Sequence, residues 1–188
     1  MKKMLSILFI SAITIATSNA YAACKIKYNE NGEEIAYLEK SYPQASKRRY
    51  FMKGASYTPL KRDKIKNFTQ TGQASWYGRP FHGRKTASGE VYNMFDYTAA
   101  HPTLPIPSCV KITNTKNGKS VIVRVNDRGP FKSDLGTDTS NRIIDLSLKA
   151  AVALDFRKEG ITDVTLEVLP TVKYVASIKA ENIIALNQ

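Results

Sequence analysis

The chain has 188 residues, with 28 Lys and Arg against 16 Asp and Glu, a formal net charge of +12 and 43% hydrophobic residues. This length and composition predict one compact domain with extensions, and they exclude a coiled coil, a collagen-like fibre and a wholly disordered chain. Two cysteines without CxxC spacing exclude a disulfide framework and a structural zinc site, so no metal and no cofactor is expected. The charge surplus alone does not separate nucleic acid, anionic lipid and acidic wall polymer as partners.

The N-terminus has the pattern of a secretory signal peptide. Lys2 and Lys3 precede an uncharged, mostly apolar run over residues 4–17, and Ala20 and Ala22 place small residues at a cleavage-compatible position. The run has 14 residues, fewer than the roughly 20 that cross a bilayer, which argues against a retained transmembrane helix. We predict that residues 1–23 are a signal peptide and that the protein is exported to the periplasm or cell envelope, which excludes nucleic acid as a partner.

Cys24 follows the predicted cleavage site directly and allows two alternatives. Its position is that of the lipid-modified cysteine of bacterial lipoproteins, which would anchor the protein to a membrane, although Tyr21 stands where leucine is usual. Cleavage after Ala22 would instead leave Cys24 able to pair with Cys109 in an oxidising compartment. Cys109 itself is interpreted as a small buried residue.

Residues 24–70 are predicted to be a basic, poorly structured arm. Between Lys40 and Lys66, nine basic residues accompany a single acid, Asp63, and aromatic residues are interleaved without hydrophobic periodicity. Two interpretations stay open. The arm binds an anionic membrane surface or wall polymer, or it is a solvated tether.

From Thr71 onwards, short segments rich in β-branched and aromatic residues follow one another, which is typical of strands. Asn117 and Gly118 predict a hairpin turn between two of them, because both residues tolerate positive φ. The strand at 120–126 is expected to be covered on both faces near its start, where apolar residues are consecutive. The six predicted strands are residues 73–77, 97–101, 110–113, 120–126, 143–146 and 163–169.

One helix is predicted after the fifth strand. Ser147 is its expected N-cap, and Leu148, Ala151 and Val152 form a stripe that would pack on the sheet. Six short strands and a helix within about 100 residues favour a mainly β fold, a small closed barrel over residues 71–170, since closure removes exposed strand edges.

Five motifs follow one another in this region. They are, in chain order, GQASWYG at 72–78, FHGRKTASGE at 81–90, TAAHPTLP at 98–105, RVNDRGPF at 124–131 and RIIDLS at 142–147. Together they resemble the rare lipoprotein A family. The resemblance implies a six-stranded double-psi β-barrel and an endolytic transglycosylase that cuts peptidoglycan glycan strands in wall remodelling or septation, with division-site proteins as further partners.

The chemistry of a lytic transglycosylase needs one acid that later acts as a base, because the C6 hydroxyl of the muramic ring is the nucleophile. Hydrolases usually need a second carboxylate. The resemblance picks out Asp127 as the acid/base and Glu90 and His101 as its assistants. The substrate-binding candidates in the same motifs are Tyr77, Thr86, Asn126 and Arg128.

Each candidate also has a structural interpretation. Asp127 would form a salt bridge with Arg128, Glu90 would be a solvated loop acid, and His101 would be a packed histidine bonded to the backbone. Two further residues are interpreted structurally: Asp145 as a charge at the helix start and Trp76 as a core residue. A non-catalytic, expansin-like module that binds peptidoglycan is the alternative function.

Two features depart from the family pattern. The segment 132–141 is longer than expected for the loop beside Asp127 and is expected to reshape the cleft. Residues 171–188 form a short tail in place of the glycan-binding repeat domain of many relatives. The family's preference for strands without peptides is therefore not expected to extend to this chain.

Overall fold

The structure, a computed structural model, describes residues 24–28, 31–32, 34–38, 42–131 and 141–172. The signal peptide, most of the 132–141 segment and the tail beyond residue 172 lie outside the described residues. One α-helix, α1, spans Leu148–Ala153. The strands are β1 (Cys24–Tyr28), β2 (Glu34–Leu38), β3 (Tyr50–Met52), β4 (Ala55–Tyr57), β5 (Thr69–Tyr77), β6 (Thr98–Ala100), β7 (Ser108–Asn114), β8 (Ser120–Asp127), β9 (Arg142–Ser147), β10 (Ile161–Val168) and β11 (Thr171–Val172).

The predicted six-stranded closed barrel is confirmed. Its strands follow the order β10-β5-β9-β6-β8-β7, and β7 pairs with β10 to close it. The pairs β5–β9 and β6–β8 are parallel, whereas the other four are antiparallel. Because β6 and β8 are parallel and adjacent, the residues that follow their carboxyl ends meet at one edge of the barrel.

Side-chain alternation along the strands explains the barrel core. In β10, Thr162, Val164, Leu166 and Val168 point inward and are buried, as expected for a strand with one covered face. Strand β8 differs from its prediction, because its start is partly exposed and both faces are buried from Val123 to Asn126. At that end, Tyr42 and Glu90 contact Arg124 of β8.

The predicted turn and helix cap are present, but the predicted helix face is partly wrong. Gly118 adopts φ +72° in the connection between β7 and β8, a conformation that favours glycine. The Ser147 hydroxyl accepts a hydrogen bond from the Ala150 N–H at 3.2 Å, as an N-cap does. The buried face of α1 carries Ala150 and Ala151, whereas Val152 is 54% exposed. The buried face is thus centred on Ala150 and Ala151, which turns Val152 toward solvent.

The segment predicted as a poorly structured arm contains four strands in its described residues. Strands β1 and β2 pair with each other, and β11 joins β2 to give a three-stranded sheet. Strands β3 and β4 form a separate hairpin. Ile65 is buried in the main core, and the Leu60 N–H donates to the Thr103 carbonyl at 2.7 Å. These two contacts join the segment to the barrel. The basic side chains of the segment lie mainly at the surface.

A disulfide joins Cys24 in β1 to Cys109 in β7, across 85 residues of sequence. Both cysteines are buried in a second apolar cluster with Ala36, Leu38 and Leu169. Cys109 is buried as predicted, and its pairing with Cys24, the second of the two alternatives for Cys24, is the one that the structure contains. A lipid thioether on Cys24 would use the same sulfur atom, so it and the disulfide exclude each other in one molecule. No helix in the described ranges is both long and apolar enough to cross a membrane.

Candidate active site

A short hairpin over residues 85–91 lies against the end of β8 and brings two predicted acids to one edge of the barrel. Lys85 and Val91 form an isolated β-bridge, and the Thr86 N–H donates to the Glu90 carbonyl at 2.8 Å. The hairpin is bonded to β8 through the Ser88 N–H, which donates to the Asn126 carbonyl at 3.3 Å. Glu90 on the hairpin and the last residue of β8 therefore share a site.

The carboxyl group of Asp127, the last residue of β8, is fixed by hydrogen bonds to one of its two oxygens. Oδ1 accepts hydrogen bonds from the Ala87 N–H and from the Arg128 N–H, both at 2.8 Å. Burial raises the pKa of Asp127 above its ordinary value of 3.8, although these two N–H groups and the Arg128 charge oppose the shift. Within the described residues both bonds go to Oδ1, which leaves Oδ2 to carry a proton.

Glu90 is held by a bidentate ion pair. Each of its carboxylate oxygens accepts from one terminal nitrogen of Arg124 at 2.7 Å, and the Ser88 hydroxyl adds a bond at 3.0 Å. Burial opposes ionisation of Glu90, but the hydrogen bonds and charge of Arg124 outweigh it and hold the pKa of Glu90 below its ordinary value of 4.5. The alternative interpretation of Glu90 as a solvated loop acid is wrong, because only 19% of its side chain is exposed.

Arg124 is itself covered from the N-terminal side of the chain. The ring of Tyr42 lies over its guanidinium group, with 3.8 Å between Cζ and the ring centroid. Only 5% of the Arg124 side chain is exposed. Residues before the barrel therefore complete the surroundings of Glu90, which sequence reasoning missed because Tyr42 is 82 positions from Arg124.

His101 is buried, and its ring is fixed by the backbone. Nδ1 accepts from the N–H groups of Thr103 at 3.1 Å and Leu104 at 3.0 Å, so Nε2 carries the hydrogen and donates to Gln70 Oε1 at 3.2 Å. Burial, assisted by the Arg128 charge, lowers the pKa of His101 to about 3. The imidazole is therefore neutral at physiological pH and supports the loop that follows β6, as its structural interpretation predicted.

Arg128 does not form the predicted salt bridge with the Asp127 side chain. Its Nη1 donates to the carbonyls of Leu104 at 2.6 Å and His101 at 3.2 Å. Gly129, at φ +131°, turns the chain away immediately afterwards. Arg128 thereby ties the end of β8 to the loop after β6.

The other predicted substrate-binding residues are Thr86, Asn126 and Tyr77. Thr86 and Asn126 are buried, the Thr86 hydroxyl lies 2.9 Å from the Ser88 hydroxyl, and Asn126 hydrogen-bonds Glu90. Tyr77 stacks on Tyr92 with ring centroids 4.2 Å apart. One face of the Tyr77 ring is thus occupied by another aromatic ring.

Asp145 is a site residue whose position the sequence did not reveal. Ala100 in β6 pairs with Asp127 on one side and with Asp145 on the other, so the two acids flank one strand. The Asp145 carboxylate accepts from the Ser75 hydroxyl at 2.6 Å and from Arg142 at 3.3 Å, and Ser147 is the residue that caps the helix. Burial, Tyr92, and the charges of Asp127 and Asp145 raise the pKa of Tyr77 well above its ordinary value.

Trp76 packs against the main core while its Nε1–H donates to the Arg157 carbonyl at 3.2 Å. Trp76 therefore packs against the core as predicted, but part of its side chain is exposed. In the described part of the chain, no group of three or more His, Cys, Asp or Glu side chains is arranged to hold a metal ion.

The part of the chain that contains the barrel strands is similar to proteins of a known family. Residues 69–166 match the family model described as lytic transglycolase. The chain is 53% identical over 137 residues to the endolytic peptidoglycan transglycosylase RlpA of Neisseria meningitidis serogroup A, covering 73% of this chain and 53% of that protein. It is 42% identical over 200 residues to the RlpA of Rickettsia typhi, covering 98% of this chain and 59% of the relative. The chain thus spans little more than half the length of these curated relatives.

Among solved structures, the Streptomyces papain inhibitor is similar with a TM-score of 0.42 and 22% sequence identity, covering 54% of this chain and 94% of that one.

Proposed function

Because this chain belongs to the lytic transglycolase family, we propose that it is an endolytic peptidoglycan transglycosylase. Its substrate is the β-1,4 bond between N-acetylmuramic acid and N-acetylglucosamine, and its product is a strand with a 1,6-anhydro-muramic end. The relatives that share up to 53% of their aligned residues with it are named for the same reaction.

Asp127 acts first as the acid and then as the base. Its protonated Oδ2 donates to the glycosidic oxygen as the bond from that oxygen to muramic C1 breaks. The C6 hydroxyl oxygen then bonds to C1, and its proton passes to the Asp127 carboxylate. The carboxyl group ends as it began and no water is consumed, so one carboxyl group suffices for the cycle.

The observation that carries this assignment is the contrast between the two acids. Asp127 has a raised pKa and one oxygen outside the backbone hydrogen bonds, whereas Glu90 has a lowered pKa and both oxygens on Arg124. A general acid must hold a proton near the working pH, which favours Asp127. Glu90 stays ionised in its pair with Arg124, whose charge offsets its own, so it assists by holding the hairpin that contacts Asp127.

The remaining site residues position Asp127. The 85–91 hairpin, held by Glu90 and Arg124, presents the Ala87 N–H to the carboxyl group. His101 shapes the loop after β6, and Arg128 bonds the same loop. Asp145 in β9 lies across β6 from Asp127, and Tyr77 in β5 interacts electrostatically with both acids.

We further propose that the protein works outside the cytoplasm, since peptidoglycan lies there and a disulfide persists in an oxidising compartment. The disulfide form, and not a lipid on Cys24, is the state in which the N-terminal sheet is packed. The basic segment before the barrel would then serve contacts with anionic wall or membrane surfaces, and division-site proteins are the proposed partners.

The test is the nature of the product. Oxidised mature protein is incubated with purified glycan strands, and the released fragments are analysed by mass spectrometry. We expect fragments that end in anhydro-muramic acid, each lighter by one water than the hydrolytic fragment. Reducing ends alone would indicate a hydrolase. Strand binding without any fragment would indicate an expansin-like binding module.

A further inference from the structure

The N-terminal sheet lies against the outer face of the barrel, where β7 and β8 run side by side. Cys109 in β7 is the partner of Arg124 in β8, so their side chains are neighbours on one face of the pair. Val123 and Val125 belong to the main core, which places Arg124 on the outer face. Cys24 Sγ lies 3.9 Å from the Val123 carbonyl oxygen. The disulfide therefore fastens β1 beside Arg124.

Tyr42 is the residue that connects this sheet with Arg124. Leu38, at the end of β2, is the partner of Cys24 in β1, and Tyr42 follows four residues later. The Tyr42 side chain packs against the apolar cluster that contains both cysteines. Its ring also lies over the Arg124 guanidinium group, with 3.8 Å between Cζ and the ring centroid. One side chain thus contacts both the disulfide cluster and Arg124.

Arg124 is connected to the catalytic carboxyl group through the hairpin. Its two terminal nitrogens bind both carboxylate oxygens of Glu90. The backbone carbonyl of Glu90 accepts the Thr86 N–H at 2.8 Å, and the next N–H, that of Ala87, donates to Asp127 Oδ1 at 2.8 Å. A displacement of Arg124 would therefore move the N–H group that orients Asp127.

The cover over Arg124 matters because an ion pair weakens when water reaches it. Only 5% of the Arg124 side chain is exposed, and the Tyr42 ring is part of its cover. Ion pairs in contact with solvent interact through a high dielectric constant and contribute little. Removal of the ring would let the pair of Arg124 and Glu90 adopt other geometries, although both charges would remain.

We propose that Tyr42 is a positioning residue for the proton donor Asp127, and that the disulfide holds Tyr42 in place. Tyr42 acts through Arg124 and Glu90, and not on the substrate itself. The inference rests on the proposed function, because the reaction gives Asp127 its role. Tyr42 and Cys24 precede residue 69, where the match to the family model begins, so this part of the site lies outside the matched range.

The test separates the disulfide from the ring in the mature protein. One variant carries Cys24→Ala and Cys109→Ala, a second carries Tyr42→Leu, and a third combines all three substitutions. Tyr28→Leu is the matched control, because it makes the same exchange in β1 of the same sheet, at a side chain that is 63% exposed. Turnover of purified glycan strands gives kcat and KM for each protein.

We expect kcat to fall roughly fivefold in the disulfide variant and in Tyr42→Leu, with KM within about twofold, because the acid is misplaced while the strand still binds. The combined variant should lose no more than either alone, since both changes act through one contact. Tyr28→Leu should match the wild type. An unchanged kcat in either variant, or losses that multiply in the combined variant, would overturn the proposal.

A second readout is independent of turnover. The N–H groups of Ala87 and Arg128 both donate to Asp127 Oδ1, so the NMR shifts of both amides should follow the titration of that carboxyl group. In Tyr42→Leu the pH-dependent shift of Ala87 should shrink to roughly half or less, because a hydrogen bond weakens steeply as its geometry degrades. The shift of Arg128, which is adjacent to Asp127 in the chain, should persist.

An unchanged shift at Ala87 would overturn the proposal. Equal losses at both amides would also overturn it, because they would indicate a general loosening of the barrel. A wild-type protein that released no anhydro product would refute the proposed function, whereas the Ala87 shift would still show whether Tyr42 positions the Asp127 carboxyl group.

Discussion

The end of β8 and the neighbouring 85–91 hairpin place two carboxyl groups in one site under opposite electrostatic conditions. Burial favours the protonated form of Asp127 and outweighs the two backbone N–H groups and the Arg128 charge, which favour its carboxylate. Glu90 is partly buried against a guanidinium group with matching geometry, which favours its ionised form. Similar burial therefore has opposite consequences, and the partner of the carboxyl group decides which residue can donate a proton.

The largest expected effect is that of Asp127→Asn on turnover. The Asn side-chain oxygen can accept the Ala87 and Arg128 N–H bonds as Oδ1 does, but the amide has no proton to donate. We expect kcat to fall about a hundredfold to ten-thousandfold. Folding raises the pKa of Asp127, so its ionised form costs stability at neutral pH, and Tm should not fall.

A matched control for this variant is Asp163→Asn, which neutralises an acid whose side chain is 51% exposed and pairs with Lys116 at 3.6 Å. Its kcat should equal that of the wild type. Comparable losses in both variants would show that Asp127 is not the acid.

Removal of the partner of Glu90 should have the next largest effect, on stability. Arg124→Met leaves a carboxylate in a largely buried place without its cation, so we expect unfolding to become easier by about 3 kcal/mol. The pKa of Glu90 should then rise, because burial remains. Lys119→Met, which breaks an exposed pair with Asp155, should leave Tm unchanged in the same thermal unfolding experiment.

Protonation of His101 makes the stability of the folded protein depend on pH. Its pKa is about 3 in the folded protein against an ordinary value of 6.5, so the unfolded chain binds the proton more tightly. Stability is complete above pH 6.5 and falls as the pH drops towards 3, with a loss of about 2 kcal/mol by pH 5 from this group. Urea unfolding at several pH values measures this loss. In His101→Asn, which keeps an acceptor near Nδ1 but does not titrate, the loss should be absent.

The smallest effect is expected at Tyr42. Tyr42→Leu keeps an apolar side chain over Arg124 but removes the cation–π contact at 3.8 Å, which should cost about 1 kcal/mol of stability. Tyr28→Leu, at a position 63% exposed in β1, is the control and should change stability by less than about 0.5 kcal/mol. Equal effects would show that the Tyr42 ring does not support the Glu90 pair.

The barrel strands were predictable because each is a local pattern. The alternation in β10, the turn before Gly118 and the Ser147 cap depend on residues close in sequence. The arrangement of the small sheet was not predictable, because β2 pairs with β11 and packs with Cys109 and Leu169, all far along the chain. Sequence reasoning also missed the alternation of Cys24, Ile26 and Tyr28 with lysines in the five residues of β1.

The site follows the same division. Asp127 and Glu90 are recognisable from their motifs, but their opposite pKa shifts depend on Arg124 and Tyr42, which only the fold brings together. Asp145 was interpreted as a helix charge because it lies near α1 in sequence. Its pairing with Ala100, opposite Asp127, is a property of strand order.

The most direct test of the account is an NMR titration of the two side-chain carboxyl carbons in the unmodified, oxidised protein. The account predicts that the pKa of Asp127 lies above 3.8 and that the pKa of Glu90 lies below 4.5. A lowered pKa at Asp127 together with a raised pKa at Glu90 would contradict it and would make Glu90 the proton donor.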